Sequence, residues 1–295
     1  MKLRIGSRDS ALAVVQSRLV MDALQAAHPD LELELVTMKT TGDKILDRTL
    51  DKVGGKGLFV KELDVALREG RVDLTVHSCK DLPMETPADL PIAAFLERED
   101  PRDVLVLPEG ALTWDVKLPV GSASPRRRVQ LRERFPGLAV QPVRGNIQTR
   151  LRKLERGDYG GLILAAAGIL RLGLEHRIRR YFDPEELLPA AGQGILAVQC
   201  REDMDRSILE CLRDREAEVC ALAERAFVGA LGGGCSTPTA AYAVLDGGVI
   251  TVTGLYVDEN EQIWRGAVTG PPADGAALAE ELAIKLKEGK GWQER

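Results

Sequence analysis

Histidine is scarce in this 295-residue chain, with three copies, and the five cysteines form no CxxC pair. Cys79, Cys200, Cys211, Cys220 and Cys235 are odd in number and widely scattered. That pattern excludes a disulfide framework, and with so little histidine it indicates no metal site. No apolar run reaches membrane-spanning length, so no membrane association is expected. The start, "MKLRIGSRDSALAVV", lacks the apolar stretch and small-residue cleavage site of a signal peptide, and a cytoplasmic protein is expected. A P-loop, a GxGxxG and an HExxH are also missing, which leaves nucleotide-binding and zinc-hydrolase classes without support. Nor is positive charge in excess: a formal net charge of -5 argues against general nucleic-acid binding.

What is present is ordinary in bulk, 44% hydrophobic and 29% charged, at a length that favours two or three domains over one core. The basic residues, however, are clustered. Arg126, Arg127 and Arg128 are consecutive, and Arg144, Arg150, Arg152 and Arg156 follow closely. A local basic field on an acidic protein points to a discrete anionic ligand.

The first half alternates strand and helix patterns. "KLRIG", "LELELV" and "RVDLTVHS" read as strands. A helix from Ser10 carries Leu12, Val15, Leu19 and Ala23 at spacings of three and four, and a second runs through Phe59, Leu63 and Leu67 to Gly70. Between them Lys39 to Gly57 has turn residues and charges without a period, the texture of an active-site lid or a surface loop. The alternation restarts near Glu97, with "DVLVLP", "LPVGS" and "GLILAAAG" as strands. Ser124 with Pro125 opens one helix, and Asn146 caps another. "GILAVQC" reads as one more strand, returning to the first sheet. After a helix over 216–230, turn signals at Asp246 to Gly248 and Asp258 to Asn260 divide an antiparallel meander, and a helix closes the chain. The expected fold is α/β with three domains. Two are similar, doubly wound and mostly parallel, of the periplasmic-binding-protein type (1–96 with 194–213, and 97–193); the third is a small α+β unit (214–295) with an antiparallel sheet.

In open α/β sheets, ligands bind beyond the carboxyl ends of the strands. Three polar clusters fall at such ends: Ser7, Arg8 and Ser10; Ser78, Lys80 and Asp81; and Ser122, Ser124, Arg126, Arg127, Arg144 and Arg150. Any one of these reads equally as helix caps and a solvated face. Three together at strand ends read as a cleft for a polyanion, since helix N-termini, small hydroxyls and guanidinium forks bind carboxylates and phosphates. Asp81 could act as general acid–base or as counter-ion to a cationic intermediate, or simply cap the turn before Pro83. Cys200, Cys211 and Cys220 read as inert packing residues on strand or helix. Cys235 differs, because three glycines precede it and let something large approach.

Taken together, "RIGSRDSALA", "TTGDKILD", "KVGGKGLFVKEL", "VHSCKDLP", "EREDPRD", "VRGNIQTRL", "LPAAGQG" and "GGGCSTP" resemble the motifs of the hydroxymethylbilane synthase (porphobilinogen deaminase) family, in order and over nearly the whole chain. The resemblance implies a transferase of porphyrin and heme biosynthesis, acting as a cytoplasmic monomer. It would join four porphobilinogen molecules head to tail with loss of ammonia, giving a linear tetrapyrrole on a covalent dipyrromethane cofactor. It places the cofactor thioether on Cys235 and the catalytic carboxylate on Asp81. Cofactor contacts fall on Ser78, Lys80, Asp81, Ser122, Ser124, Arg126, Arg127, Arg144, Gly145, Gln193 and Gly194. Substrate contacts fall on Arg8, Ser10, Arg144, Arg150 and Arg171. Lys56 and Phe59 would close over the cleft as a lid. Two positions depart from the family pattern. Cys79 replaces an apolar residue, and a core-facing side chain is expected there; Pro125 suits a helix start. The competing readings are a hinged two-domain protein that binds a carboxylate ligand without catalysis, which leaves Cys235 unexplained, and a thiol acyl transferase, for which no histidine stands near the thiol.

Overall fold

The computed structural model describes residues 2–44, 57, 59–234 and 237–291, and they form three sheets. In the first sheet, β1 (Lys2–Arg8), β2 (Glu32–Met38), β3 (Leu74–Ser78), β4 (Ile92–Phe95) and β10 (Leu196–Cys200) lie in the order β2-β1-β3-β10-β4. The second contains β5 (Asp103–Val106), β6 (Val120–Gly121), β7 (Val140–Gln141), β8 (Gly161–Ala165) and β9 (Ile178–Phe182), ordered β7-β6-β8-β5-β9. The two orders share one plan. In each, four strands run one way and the strand in fourth place runs against its neighbours.

That reversed strand is where the mostly parallel expectation needs refinement. After β4 the chain crosses to the second sheet as β5, and after β9 it crosses back as β10, so each sheet holds the strand by which the chain enters or leaves the other half. "GILAVQC" does return to the first sheet. The strands β4 and β9 escape a reading by pattern. "IAAF" is short and follows a proline, and "IRRYF" carries two arginines whose side chains stay exposed.

Helix starts follow local chemistry. In α1 (Ala11–Ala27) the Ser10 Oγ accepts from the Ala13 amide at 3.3 Å, and Ala13, Gln16, Ser17, Val20 and Leu24 are buried along one stripe. Between α2 (Lys61–Arg68) and β3, Gly70 takes φ +64° as the helix stop. Ser124 caps α3 (Pro125–Arg134), whose first residue is the proline; Asn146 caps α4 (Ile147–Glu155), its Oδ1 accepting from the Thr149 amide at 2.9 Å. The short α5 (Ala166–Arg171) continues directly from β8.

The third sheet is the antiparallel meander β11 (Ala240–Asp246), β12 (Val249–Val257) and β13 (Ile263–Gly270). Against it pack α6 (Arg215–Ala230) and α7 (Gly275–Lys287), around Phe227, Ile250, Val252 and Leu282. No described helix is long and apolar enough to cross a membrane. Cys79, Cys200 and Cys220 are buried; Cys211, expected to be packed, is exposed on a two-turn 3-10 helix (Ser207–Leu212) that turns only Leu209 and Leu212, three residues apart, inward.

Candidate active site

A cleft of about 750 Å³ opens where the carboxyl ends of the first two sheets face each other. From the first come Arg8 at the end of β1, Ser10 at the head of α1, and Ser78 at the end of β3. The chain then turns through a 3-10 segment, Cys79–Asp81, that brings Lys80 and Asp81 to the cleft. Gln16 donates to Ser78 Oγ at 3.0 Å, and the Arg8 guanidinium lies 4.3 Å from the centre of the Phe59 ring. From the second come Ser124, Arg126 and Arg127 at the head of α3, Arg144, Gly145 and Arg150 around the head of α4, and Arg171 at the end of α5.

The floor is the returning crossover. Gln193 Nε2 donates to the Pro101 carbonyl at 2.6 Å and to Asp103 Oδ1 at 2.8 Å, while its Oε1 accepts from Lys80 Nζ at 3.4 Å. One amide therefore bridges the two halves of the cleft. Gly194 (φ +91°) passes so close that a Cβ there would lie 2.2 Å from the Glu99 carbonyl oxygen. Gly145 (φ +111°) turns the chain into α4, and its carbonyl accepts from Arg150 Nε at 2.8 Å. Arg171 donates to the Gly194 carbonyl at 2.6 Å.

The cleft is strongly cationic and partly desolvated. Burial, with Arg127 nearby, pushes the Lys80 ammonium down to about 8 against the pull of Asp81. Burial, joined by Arg127 and Arg144, pushes Arg150 down to about 10, and burial does the same to Arg171. Burial is the largest cause in each case, so these cations sit in a partly dry wall of the cleft. Burial also pushes His77, on β3, down to about 3, and its Nε2 lies 2.9 Å from Thr75 Oγ1; it stands neutral beside the cleft.

Every expected site residue among those described lines the cleft except Ser122, which is buried behind a wall formed there by Ala123 and Ser124. Cys235 and Lys56 lie outside the described residues. Arg126 and Arg127 reach the cleft only in part. Both side chains are buried and both pair with Asp103, at 2.9 and 2.7 Å. Burial alone would raise the Asp103 carboxyl, but the two guanidinium groups outweigh it and hold it well below the usual carboxylate range. Ser122 Oγ, Arg126 Nε and Arg127 Nε have no hydrogen-bond partner among the described residues, so polar capacity is left over beside the cleft. Asp103→Asn removes the charge shared by two buried arginines. An unfolding free energy lower by about 3–5 kcal/mol is expected from urea titration; a loss below about 1 kcal/mol would contradict this pairing.

Two carboxylates were missed by reading motifs alone. Asp103 opens an apolar strand, an unusual place for an acid. Glu224 falls in the apolar stripe of α6 with Ala217, Cys220, Ala221 and Val228. It accepts from Arg98 at 2.7 Å, from the Gly192 amide at 2.6 Å and from the Ala243 amide at 2.7 Å, fastening α6 to the segment that carries Gln193. Both acids break a hydrophobic period, which is the signal that could have found them. Cys79 faces the core, as its small side chain suggests, with burial pushing its thiol up to about 11.

A family model described as "Porphobilinogen deaminase, dipyromethane cofactor binding domain" matches residues 3–209, and one described as "Porphobilinogen deaminase, C-terminal domain" matches residues 218–288. The porphobilinogen deaminase of Acetivibrio thermocellus is 54% identical, covering 98% of this chain and 99% of its own length. That of Chromobacterium violaceum is 47% identical over 97% and 94%. Among solved structures, the BenM effector binding domain with benzoate matches at 17% identity and TM-score 0.42, over 72% of this chain and 88% of its own. The periplasmic aliphatic sulphonate binding protein SsuA of Escherichia coli matches at 16% identity and TM-score 0.38, over 68% and 61%. Neither structural likeness is close enough to carry a functional argument.

Proposed function

The chain belongs to the porphobilinogen deaminase family, and from that premise we propose a division of labour among the residues of its cleft. The activity is that of a transferase of porphyrin biosynthesis, which condenses porphobilinogen into a linear tetrapyrrole with release of ammonia. Its cofactor is dipyrromethane, which when bound would supply the ring end that accepts the first substrate ring.

The observation that carries the assignment is the gathering of basic side chains from both sheets along one cleft. Acetate and propionate arms make both cofactor and substrate polycarboxylates. The donors present suit them: Arg144, Arg150 and Arg171 offer planar forks, Lys80 a point charge, and the heads of α1, α3 and α4 their free amides. In our reading Lys80, Ser124, Arg126, Arg127, Arg144, Gly145, Gln193 and Gly194, with Ser78, hold the cofactor carboxylates, and Cys235 anchors it through sulfur; Ser122, buried behind the wall, is left out of that set. Arg8, Ser10, Arg144, Arg150 and Arg171 take the incoming substrate. Lys56 and Phe59 cover it, Phe59 already stacked on Arg8.

Asp81 is the acid–base group. Ammonia leaves the substrate as a cationic pyrrole forms, and a carboxylate at this point stabilises that charge. It then accepts the proton that the attacked ring carbon must lose once the new bond forms. Lys80 and Arg150 line the same cleft and both feel the Asp81 charge.

We further infer a cytoplasmic monomer with boundaries at 1–96 plus 194–213, 97–193, and 214–295. The cleft needs no second chain to complete its walls. The four described cysteines are unpaired, in keeping with a reducing compartment. A hinged carrier without catalysis is not favoured, because the family is one of enzymes.

The assignment is tested by pH. A free-enzyme cleft that needs Lys80 charged loses it as pH rises past about 8, so kcat/KM should fall above that point. Lys80→Arg, whose side chain does not titrate there, should remove this alkaline limb. An unchanged limb in the variant would reject Lys80 as a carboxylate contact.

A further inference from the structure

Among the described residues, no hydrogen bond fixes the Asp81 carboxylate itself, so its aim is set by the backbone of the turn that carries it. The front of that turn is well held. The Cys79 amide donates to the Ile195 carbonyl at 2.9 Å, and the Leu82 amide to the Cys79 carbonyl at 3.2 Å. The exit is different. Pro83, two residues after Asp81, has no amide hydrogen with which to join a ladder. Instead the carbonyls of Pro83 and Met84 both accept from one nitrogen, Arg225 Nη2, at 2.6 and 2.9 Å.

Arg225 reaches the turn from another sheet's layer. It sits on α6, only 7% exposed, and its guanidinium lies against the Cys79 thiol at the front of the same turn. One helical turn further on, Gly229 packs against Met84. From Ala230 the helix runs into Gly232, Gly233 and Gly234 and so to Cys235. A single rigid element therefore grips the turn bearing the carboxylate and leads into the loop bearing the anchor thiol.

We propose that Arg225 is a positioning residue for Asp81. By clamping the exit of the turn it holds the carboxylate on the reacting atoms. The proposal rests on Asp81 being the acid–base group. Small misplacements of such a group are costly: an error of about 1 Å can reduce rate about a hundredfold.

The test compares Arg225→Leu and Arg225→Lys holoenzymes by initial rates, intact mass and thermal unfolding, with Arg225→Leu also placed on Asp81→Asn. For Arg225→Leu we expect kcat to fall about ten- to a hundredfold, KM to stay within about twofold, and the covalent adduct to remain complete. Arg225→Lys restores part of kcat, since an ammonium keeps the charge but not the fork. On the Asp81→Asn background, Arg225→Leu leaves the residual rate unchanged, because both changes remove one function. Normal kcat with a lowered melting temperature would reduce Arg225 to a packing role and overturn the proposal. So would a rate loss matched by loss of adduct, or rate losses that multiply in the double variant. If the leucine variant fails to fold, the lysine variant decides: a lowered kcat at near wild-type melting temperature supports the proposal, and a wild-type kcat rejects it. Failure of the underlying reading looks different, as Asp81→Asn would then turn over normally whatever stands at 225.

Discussion

Cys235→Ser is expected to leave the protein without its covalent adduct and to lower turnover by at least about a thousandfold, the scale seen when a covalent-catalysis residue is removed. The reason is chemical. A cysteine can present a thiolate and form a thioether, whereas a serine hydroxyl stays protonated and is a poor nucleophile unless a base activates it. The neutral, buried His77 is bound up with Thr75 and offers no such help. Intact-mass spectrometry of the purified protein reads the adduct directly, and an assay on porphobilinogen reads the rate. An adduct of dipyrrole mass surviving in the variant would place the attachment elsewhere. Activity in protein that carries no adduct would remove the primer from the scheme.

Asp81→Asn separates chemistry from binding. The amide keeps the shape of the carboxylate but neither its charge nor its ability to accept a proton. The cationic walls that bind carboxylates are untouched, so KM should stay within a few-fold and the adduct should be retained. Loss of positioned acid–base catalysis is worth about 10²- to 10⁴-fold, and kcat should fall by that order. Near-normal turnover would return Asp81 to the role of a turn cap before Pro83.

Much of this was readable from the chain alone, because helix starts and strand ends are written in local chemistry. Ser10, Ser124 and Asn146 each cap the helix that their position suggested, and Arg8, Ser78 and Arg171 stand at the ends of the elements expected to carry them. What escaped is set by contacts between distant segments. Nothing near Arg126 and Arg127 announces that both are half committed to Asp103 across the second sheet. The roles of Glu224 and Arg225 depend on where α6 docks, which no local pattern encodes. The reversed place of β5 and β10 likewise follows from the crossing of the chain between sheets and not from their own residues, which read simply as buried strands. Ser122 does not line the cleft because it directly follows the buried two-residue β6 and is itself buried, with the chain reaching the cleft only at Ala123.

The exchanged strands also bear on how the molecule is made. β10 pairs Leu196 with Ser78 and Cys200 with Leu74, across more than a hundred intervening residues. Emerging from a ribosome at about 5–20 residues per second, the chain exposes β3 and β4 for roughly ten seconds before the strand that belongs between them exists. Two apolar edges left open for that time are templates for wrong pairing, with a neighbouring nascent chain above all. The first half therefore cannot finish folding as it is synthesised. It must wait for β10, which is made after the last strand of the second sheet, so the wall of the cleft that begins first is the one completed last.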